Sequence, residues 1–411
     1  MPFALQPNSA LREPLYRRYF IATSQSTLAT WMLRFPLGWM AWELTHSAFW
    51  VGVFGACLLL PAIVLAPVFG VVSDRINPRN GLLFTLGSHA LIAALTAVGL
   101  FNNWLELFGL LSSALIIGLI TAAHQPLRLA FIPRLVTRER LPSAIGISAI
   151  VYNTSRIVGP AIAGVIIAHS SAAVAIAVSA LLFLGAVTAL LRVHLLPLAN
   201  GAGGQGVWAQ MVEGLRFAKG NSAIRLILTL TMVNGLLGRS VLELLPAITG
   251  KLLAGGATQL AWLTGAAGAG SILGGLLLTR QSDQETALLR WVLVSLTASS
   301  LMLLPLRWLV SPWLLTFMVG LLSLSTTMAG IGSQALAQLS VVEQFRGRVM
   351  SLWTMMTMGA PAVGGFLLGA LADLVGFIAT LAGLGGVALL VVLRLWSKRA
   401  LFSELGVAEH R

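Results

Sequence analysis

The sequence predicts an all-α polytopic membrane protein, with twelve transmembrane helices in two pseudo-symmetric six-helix bundles. Three observations support this fold class: the composition, the apolar runs and the placement of the basic residues. Of the 411 residues, 57% are hydrophobic and only 9% are charged, whereas a soluble globular domain carries about 25% charged residues. The composition therefore excludes an ordinary soluble domain.

Twelve apolar runs are long enough to cross a bilayer, since a transmembrane helix needs about 20 mostly apolar residues. The polar stretch before the first run has no apolar segment of its own, so no cleavable signal peptide is expected. The predicted spans are residues 18–43, 49–73, 81–101, 105–130, 142–168, 171–192, 223–249, 258–279, 287–307, 312–338, 349–372 and 376–396.

The basic residues predict the orientation of the chain. Of the 26 Lys and Arg residues, 21 lie in the loops and span ends of one side of the predicted membrane, two lie on the other side, and three lie deep inside spans. Loops rich in Lys and Arg remain in the cytoplasm. Both termini are therefore expected to be cytoplasmic, in a bacterial cytoplasmic (inner) membrane.

The longest polar segment lies between the sixth and seventh spans and predicts the domain division. Residues 1–192 form the N-terminal six-helix bundle, residues 193–222 a cytoplasmic linker, and residues 223–411 the C-terminal bundle with a short cytoplasmic tail. The glycine-rich part of the linker, 200–206, has the composition of a flexible connection. In the following residues, 207–219, apolar side chains recur at helical spacing opposite polar ones. This pattern predicts an amphipathic helix on the membrane surface.

The two halves repeat a glycine–proline cluster at matching places, in the fifth and the eleventh spans. Close packing alone explains any one such cluster, because small residues let helices approach. The matching pair favours a functional role in helix bending and packing. Such a role fits a transporter whose two repeats rock around a central site. The clusters are Gly159, Pro160 and Gly164 in the fifth span, and Gly359, Pro361 and Gly365 in the eleventh.

A short charged stretch joins the second and third spans and predicts a tight polar turn at one membrane face. Gly70 removes a side chain where the helix approaches a neighbour, and Asp74 suits a helix N-terminus, where a carboxylate is favoured. Arg75 and Arg79 keep the turn cytoplasmic. A plain basic loop is the alternative interpretation.

Gly70, Asp74, Arg75 and Arg79 match the signature loop of the major facilitator superfamily, which the chain resembles. The resemblance implies a gating loop in which Asp74 meets the N-terminus of the eleventh helix when the carrier faces outward. Asn77 and Pro78 replace the usual glycine and basic residue.

More specifically, the chain resembles the branch of this superfamily that contains the enterobactin exporter and macrolide efflux proteins. Many drug exporters of this branch carry an Asp in the first span, and this chain has none there. The matching stretches are 16–20, Trp31-Met32, Trp39, 43–45, 47–48, Pro61, 156–160, 213–217 and 244–246.

Charged residues inside spans are the candidate binding residues, because a charge near the bilayer centre costs about 2.5–3.5 kcal/mol on insertion scales and needs a cavity or a partner. Arg34 and Arg239 occupy corresponding places in the first and seventh spans and predict a positive substrate cavity suited to anionic or catecholate-like molecules. Arg156, beside the fifth-span cluster, either binds substrate or holds the packing.

Two acidic residues are the candidates for proton coupling. Glu243 lies one turn beyond Arg239, so the two side chains alternatively form a structural ion pair. Glu43 lies near the outer end of the first span. The alternative interpretation is that Glu43 is an interfacial residue with no role in coupling.

Other polar residues are compatible with a transporter. His124 and Gln125 in the fourth span are candidate cavity residues, although a membrane histidine commonly makes a helix-to-helix hydrogen bond. No phosphate-binding loop and no nucleophile–base arrangement occurs, so neither ATP hydrolysis nor another enzymatic activity is expected. The lone cysteine, Cys57, leaves no Cys-based metal cluster.

Together these features predict a secondary active, proton-coupled exporter of a small amphiphilic molecule that works by alternating access. The resemblance and the arginines suggest a siderophore first and a drug-like compound second. The expected partners are that small molecule and the lipid bilayer, with no nucleic acid, no cofactor beyond the proton gradient, and a monomeric state. The alternatives are an uptake symporter, a lipid flippase and a non-transporting membrane scaffold.

Overall fold

The computed structural model describes residues 9–193, 216, 219–279, 285–305, 311–341 and 343–397, and within these ranges the regular elements are helices. Numbered in chain order they are α1 (Pro14–Thr45), α2 (Ala48–Arg75), α3 (Pro78–Phe101), α4 (Leu107–Phe131), α5 (Leu141–His169), α6 (Ala172–Leu191), α7 (Ser222–Glu243), α8 (Leu245–Leu252), α9 (Ala257–Thr279), α10 (Glu285–Leu303), α11 (Pro312–Leu339), α12 (Glu343–Val375) and α13 (Phe377–Ser397).

Eleven of the described helices, all except α1 and α8, are long and apolar enough to cross a membrane. Helix α1 contains four charged residues but has 32 residues, which make a helix of about 48 Å. This length exceeds the hydrocarbon core of a bilayer, about 30 Å. Helix α1 is therefore long enough to be the remaining one of the twelve predicted spans.

The seventh predicted span, residues 223–249, is interrupted in the structure. Helix α7 contains a π-helical turn at Gly235–Arg239, and α8 starts again at Leu245. The second residue of α8 is Pro246, which has no backbone N–H to donate and favours the first turn of a helix. Pro246 thus favours the start of a new helix at Leu245, directly after the end of α7.

The two glycines of the π-helical turn face neighbouring helices. A Cβ atom on Gly235 would lie 2.5 Å from Cβ of Ala360 in α12, and one on Gly238 would collide with the Thr326 side chain of α11. The Ser240 hydroxyl donates a hydrogen bond to the Gly235 carbonyl oxygen over 2.8 Å. Small residues therefore bring α7 into close contact with α11 and α12.

The chain divides into two compact units. The first contains Met1–Leu44 and Leu60–Gly204, and the second contains Thr45–Leu59 and Gln205–Arg411. The start of α2 thus belongs to the second unit and the remainder of α2 to the first. The predicted domain limits at 192 and 223 remain predictions, and most of the predicted linker helix lies outside the described residues.

In the first unit, the beginning of α1 is fixed to the beginning of α5. Tyr16 is fully buried, and its hydroxyl donates a hydrogen bond of 2.8 Å to the Ala144 carbonyl oxygen. Arg140 forms an ion pair with Glu13 just before α1.

We expect Tyr16→Phe to lower the free energy of unfolding by about 1–2 kcal/mol, because the buried Ala144 carbonyl loses its donor. Tyr152→Phe is the matched control, since the Tyr152 side chain is 38% exposed. Thermal and chemical unfolding of the two variants in the same detergent measures the difference. Equal stability of both variants would contradict the importance of the Tyr16 hydrogen bond.

In the second unit, α9 and α11 approach so closely that their backbones touch. A Cβ atom on Gly270 would collide with the Gly320 carbonyl oxygen, and one on Gly274 would lie 2.5 Å from the Leu324 carbonyl oxygen. Gly270 and Gly274 are one helical turn apart and form one face of α9. Replacing either glycine by alanine adds a methyl group and requires the two helices to separate.

Candidate functional site

Two arginines converge on one tryptophan in the first unit. The guanidinium carbon of Arg34 lies 5.3 Å from the centre of the Trp31 ring system, and that of Arg156 lies 5.8 Å from it. The Tyr152 ring meets the Trp31 ring edge-on, with 5.6 Å between centres. We call Trp31, Arg34, Tyr152 and Arg156 the Trp31 cluster.

Gly159 sets the distance between the two helices that carry the Trp31 cluster. A Cβ atom on Gly159 of α5 would lie 2.7 Å from Cβ of Trp31 in α1. Arg156 precedes Gly159 by three residues, so it lies on the same face of α5 one turn away. Pro160 and Gly164 are buried in the same helix. The predicted fifth-span cluster therefore lies where α5 meets α1.

The chemistry of the Trp31 cluster suits a flat or carboxylate-bearing anion. Trp31, Arg34 and Arg156 are all half-buried. A guanidinium presents its N–H groups as a planar fork that matches a carboxylate, and it also stacks on aromatic faces. Cation–π contacts orient both guanidinium groups. The arrangement combines two positive charges with apolar ring surface.

The predicted residue His124 lies beside a second histidine. Its Nδ1 atom is 2.9 Å from the Thr85 hydroxyl oxygen of α3, and its ring centre is 6.1 Å from that of His89. Nδ1 of His89 donates to the Thr85 carbonyl oxygen over 2.9 Å, and the ring stacks on Phe183 of α6. His124 thus makes a helix-to-helix contact, while its neighbour Gln125 is exposed.

Glu243 and Arg239 lie together in the second unit, on α7. Both side chains are half-buried. Cβ atoms on Gly365 of α12 and on Gly55 of α2 would lie 3.8 and 4.0 Å from Cβ of Glu243. Glu43, by contrast, is an exposed residue near the end of α1. The ion pair of Arg239 with Glu243 and the coupling roles of the two acids stay predictions.

The eleventh-span residues also lie at close helix contacts. Pro361 is buried, and its Cδ atom would be 3.2 Å from a Cβ atom on Gly235. Gly359 is half-buried in the preceding turn. Of the predicted cluster, Pro361 therefore packs against the π-helical turn of α7, and Gly365 lies near Glu243.

The predicted gating loop is short, with α2 ending at Arg75 and α3 starting at Pro78. The Asn77 side chain accepts a hydrogen bond from the backbone N–H of Arg79, and the Arg79 guanidinium donates to the Leu191 carbonyl oxygen at the end of α6 over 2.8 Å. A cation at a helix C-terminus is stabilising. The side chains of Gly70, Asp74 and Arg75 lie outside the described residues.

Sequence reasoning missed Asp373, which caps the start of α2. Its carboxylate accepts hydrogen bonds from the Ser47 hydroxyl over 2.5 Å and from the backbone N–H groups of Ala48 and Phe49 over 3.0 Å each. Ser47 before an apolar run is a recognisable helix start. Its acidic partner is 326 residues away in sequence, and no local pattern identifies such a contact.

The helices and their close contacts define a multi-pass membrane protein with the fold of the major facilitator transporters. The solved nucleoside transporter NupG superposes with a TM-score of 0.71 at 13% identity, covering 93% of this chain and 98% of that one. The human organic anion transporter MFSD10 (TETRAN) gives a TM-score of 0.66 at 17% identity, covering 95% and 100%. The predicted fold class is confirmed.

The chain belongs to the transmembrane secretion effector family, whose sequence model matches residues 5–404. It is similar to the staphyloferrin A transporter of Staphylococcus aureus, 24% identical over 374 residues that cover 90% of this chain and 92% of that one. It also matches an uncharacterized MFS-type transporter, YfiS of Bacillus subtilis, at 27% over 39% of each chain. The predicted membership of the major facilitator superfamily is confirmed, and the protein is a membrane transporter.

Proposed function

We propose that this transporter is a proton-coupled exporter of a small amphiphilic anion, with a siderophore as the first candidate and a drug-like compound as the second. It works by alternating access as a monomer in a bacterial inner membrane, with both termini in the cytoplasm and the proton gradient as its driving force. The observation that carries the proposal is the Trp31 cluster, in which Arg34 and Arg156 share one indole.

The two guanidinium groups of the Trp31 cluster carry an energetic cost within the membrane. Each charge within a span raises the insertion free energy by about 2.5–3.5 kcal/mol. An anion between the two guanidinium groups offsets part of this cost and gains charge-assisted hydrogen bonds. The name of the staphyloferrin A transporter supports a siderophore as substrate, and the family description supports secretion.

Proton coupling is assigned to the half-buried Glu243 first and to the exposed Glu43 second. Glu243 is half-buried on α7 beside Gly365 of α12, whereas Glu43 is exposed near the end of α1. Glu243→Gln should abolish the dependence of export on the pH gradient. An unchanged pH dependence in that variant would remove Glu243 from the coupling mechanism.

The test is siderophore export from the host bacterium. A deletion strain grown under iron limitation should secrete less siderophore and retain more inside, and the wild-type protein should restore secretion. Arg290→Gln, which removes an exposed cation from α10, should restore it equally. Unchanged secretion in a strain without a redundant exporter would exclude the siderophore and direct the test to drug susceptibility.

Vesicles separate the remaining alternatives. Proton-driven accumulation in right-side-out vesicles would identify an uptake symporter. Movement of labelled lipid between leaflets, without transport of soluble compounds, would identify a lipid flippase. Absence of all these activities would leave a non-transporting scaffold.

A further inference from the structure

Two arginines from different helices meet at the C-terminal end of α6. Nη1 of Arg18 in α1 donates a hydrogen bond of 3.0 Å to the Arg192 carbonyl oxygen, and Nη2 of Arg79 in α3 donates one of 2.8 Å to the Leu191 carbonyl oxygen. Because these carbonyls belong to consecutive residues, the two guanidinium groups are held close to each other. Arg192 adds a third, exposed side chain at the same helix end. We call Arg18, Arg79 and Arg192 the α6 arginine cluster.

The α6 arginine cluster carries more positive charge than the described residues beside it balance. The C-terminus of a helix supplies only about half a negative charge, which leaves about 2.5 positive charges on the three side chains. Glu13, the acidic residue just before α1, is already paired with Arg140. Like charges held close together repel each other, so an anion between the guanidinium groups is favourable.

The α6 arginine cluster also keeps hydrogen-bond donors available for a ligand. A guanidinium presents a planar fork of N–H donors, and the hydrogen bonds to α6 use one N–H each of Arg18 and Arg79. The Arg79 side chain is half-buried, and its Nε atom is buried without a hydrogen-bond partner in the described part of the chain. A buried donor without a partner is unfavourable. The oxygen of an anion would satisfy it.

An exposed apolar surface runs from the α6 arginine cluster along α3 and α6. On α6, Leu181, Leu184 and Leu191 recur at helical spacing and are 50–66% exposed. On α3, which packs beside α6, Phe84 is 77% exposed and lies about one and a half turns after Arg79. A small inorganic anion gains nothing from this surface, whereas acyl chains do. Cations at the helix ends and apolar side chains beside them fit an anionic amphiphile.

We propose that the α6 arginine cluster binds the phosphate headgroup of an anionic phospholipid, whose acyl chains lie on the exposed surface of α3 and α6. Basic residues at the predicted cytoplasmic ends of spans attract anionic lipids, by about fivefold in affinity for each cation. The phosphate oxygens accept charge-assisted hydrogen bonds, which arginine donates in parallel pairs. The lipid joins the ends of α1, α3 and α6. Its binding is independent of the transported substrate.

Native mass spectrometry of the purified full chain, titrated with phosphatidylglycerol or phosphatidylcholine, tests the site. We expect phosphatidylglycerol to bind more tightly, and Arg192→Gln to weaken its binding about fivefold through the loss of one cation. The Arg192 carbonyl, and not its side chain, accepts the hydrogen bond from Arg18, so this variant retains the described contact. Arg79→Gln should weaken binding further, because it also removes donors to the phosphate. Arg290→Gln, the exposed cation on α10, is the control and should bind phosphatidylglycerol as the wild type does.

Two further measurements separate a lipid site from a site for a free anion. Leu184→Asn, which makes the apolar surface polar, should weaken the binding of phosphatidylglycerol. In thermal unfolding, phosphatidylglycerol should raise the melting temperature of the wild type more than that of Arg192→Gln, and inorganic phosphate alone should not raise it. An equal rise with inorganic phosphate would identify a free-anion site and contradict the lipid proposal. Equal affinity for the two lipids, or equal weakening by Arg192→Gln and Arg290→Gln, would reduce the effect to general attraction and overturn the site.

Discussion

Gly270→Ala is expected to destabilise the protein by about 1–3 kcal/mol, the range for overpacking in a close-packed interior. The added methyl group would collide with the Gly320 carbonyl oxygen of α11. Carbonyl oxygens of a helix cannot rotate away as side chains do, so α9 and α11 have to separate. Separation also breaks the adjoining contact of Gly274 with Leu324.

Gly265→Ala is the matched control on the same helix. A Cβ atom there would meet no atom within 4 Å, and alanine is a better helix former than glycine by about 0.5–1 kcal/mol. Thermal unfolding in detergent, with the folded fraction measured by size-exclusion chromatography, compares the two variants. Equal apparent melting temperatures would contradict the close approach of α9 and α11.

Arg156→Gln is expected to reduce export of an anionic substrate at least tenfold, because one of the two guanidinium groups on Trp31 is lost. A charged hydrogen bond in a partly desolvated site contributes about 1.5–3 kcal/mol, which is at least a factor of ten. Arg156→Lys keeps the charge without the planar fork and should retain an intermediate activity. Trp31→Leu keeps both charges and removes the surface on which they stack.

Initial rates in inside-out vesicles, corrected for the amount of folded protein, measure this effect. Arg290→Gln, the exposed cation on α10, controls for the loss of one positive charge and should leave the rate unchanged. Because Arg34 and Arg156 share one ring, their effects should not add, and the Arg34→Gln/Arg156→Gln double variant should lose less than the product of the two single losses. Full activity of the Arg156→Gln variant would show that Arg156 contributes to helix packing and not to substrate binding.

The spanning helices could be predicted from sequence because length and hydrophobicity alone decide whether a segment crosses a bilayer. Arg34 and Arg156 were also identifiable, since charges within spans are rare and costly. Their common position on Trp31 was not, because it depends on how closely Gly159 lets α5 approach α1. Sequence identifies the residue types, whereas packing between helices brings them together.

Two further features lay beyond sequence reasoning for different reasons. The hydrogen-bonded arrangement of His89, His124 and Thr85 depends on the relative rotation of α3 and α4, which hydrophobic periodicity does not define when most faces are apolar. The Asp373 contact joins residues 326 positions apart. Ser47 gives a local signal for the helix start, but the acid that completes it gives none.

The π-helical turn of α7 has a consequence for how sequences of this kind diverge. Such a turn holds one residue more than the α-helical turn it replaces, and each residue of an α-helix advances by about 100° around the axis. Because the wider turn takes up this extra residue, deleting one of residues 235–238 would restore a continuous α-helix and leave Arg239 and Glu243 at nearly the same azimuth relative to Asn234. A single-codon deletion at this point would therefore leave unchanged the side chains that the flanking segments present on each face, as well as the number and order of the spans.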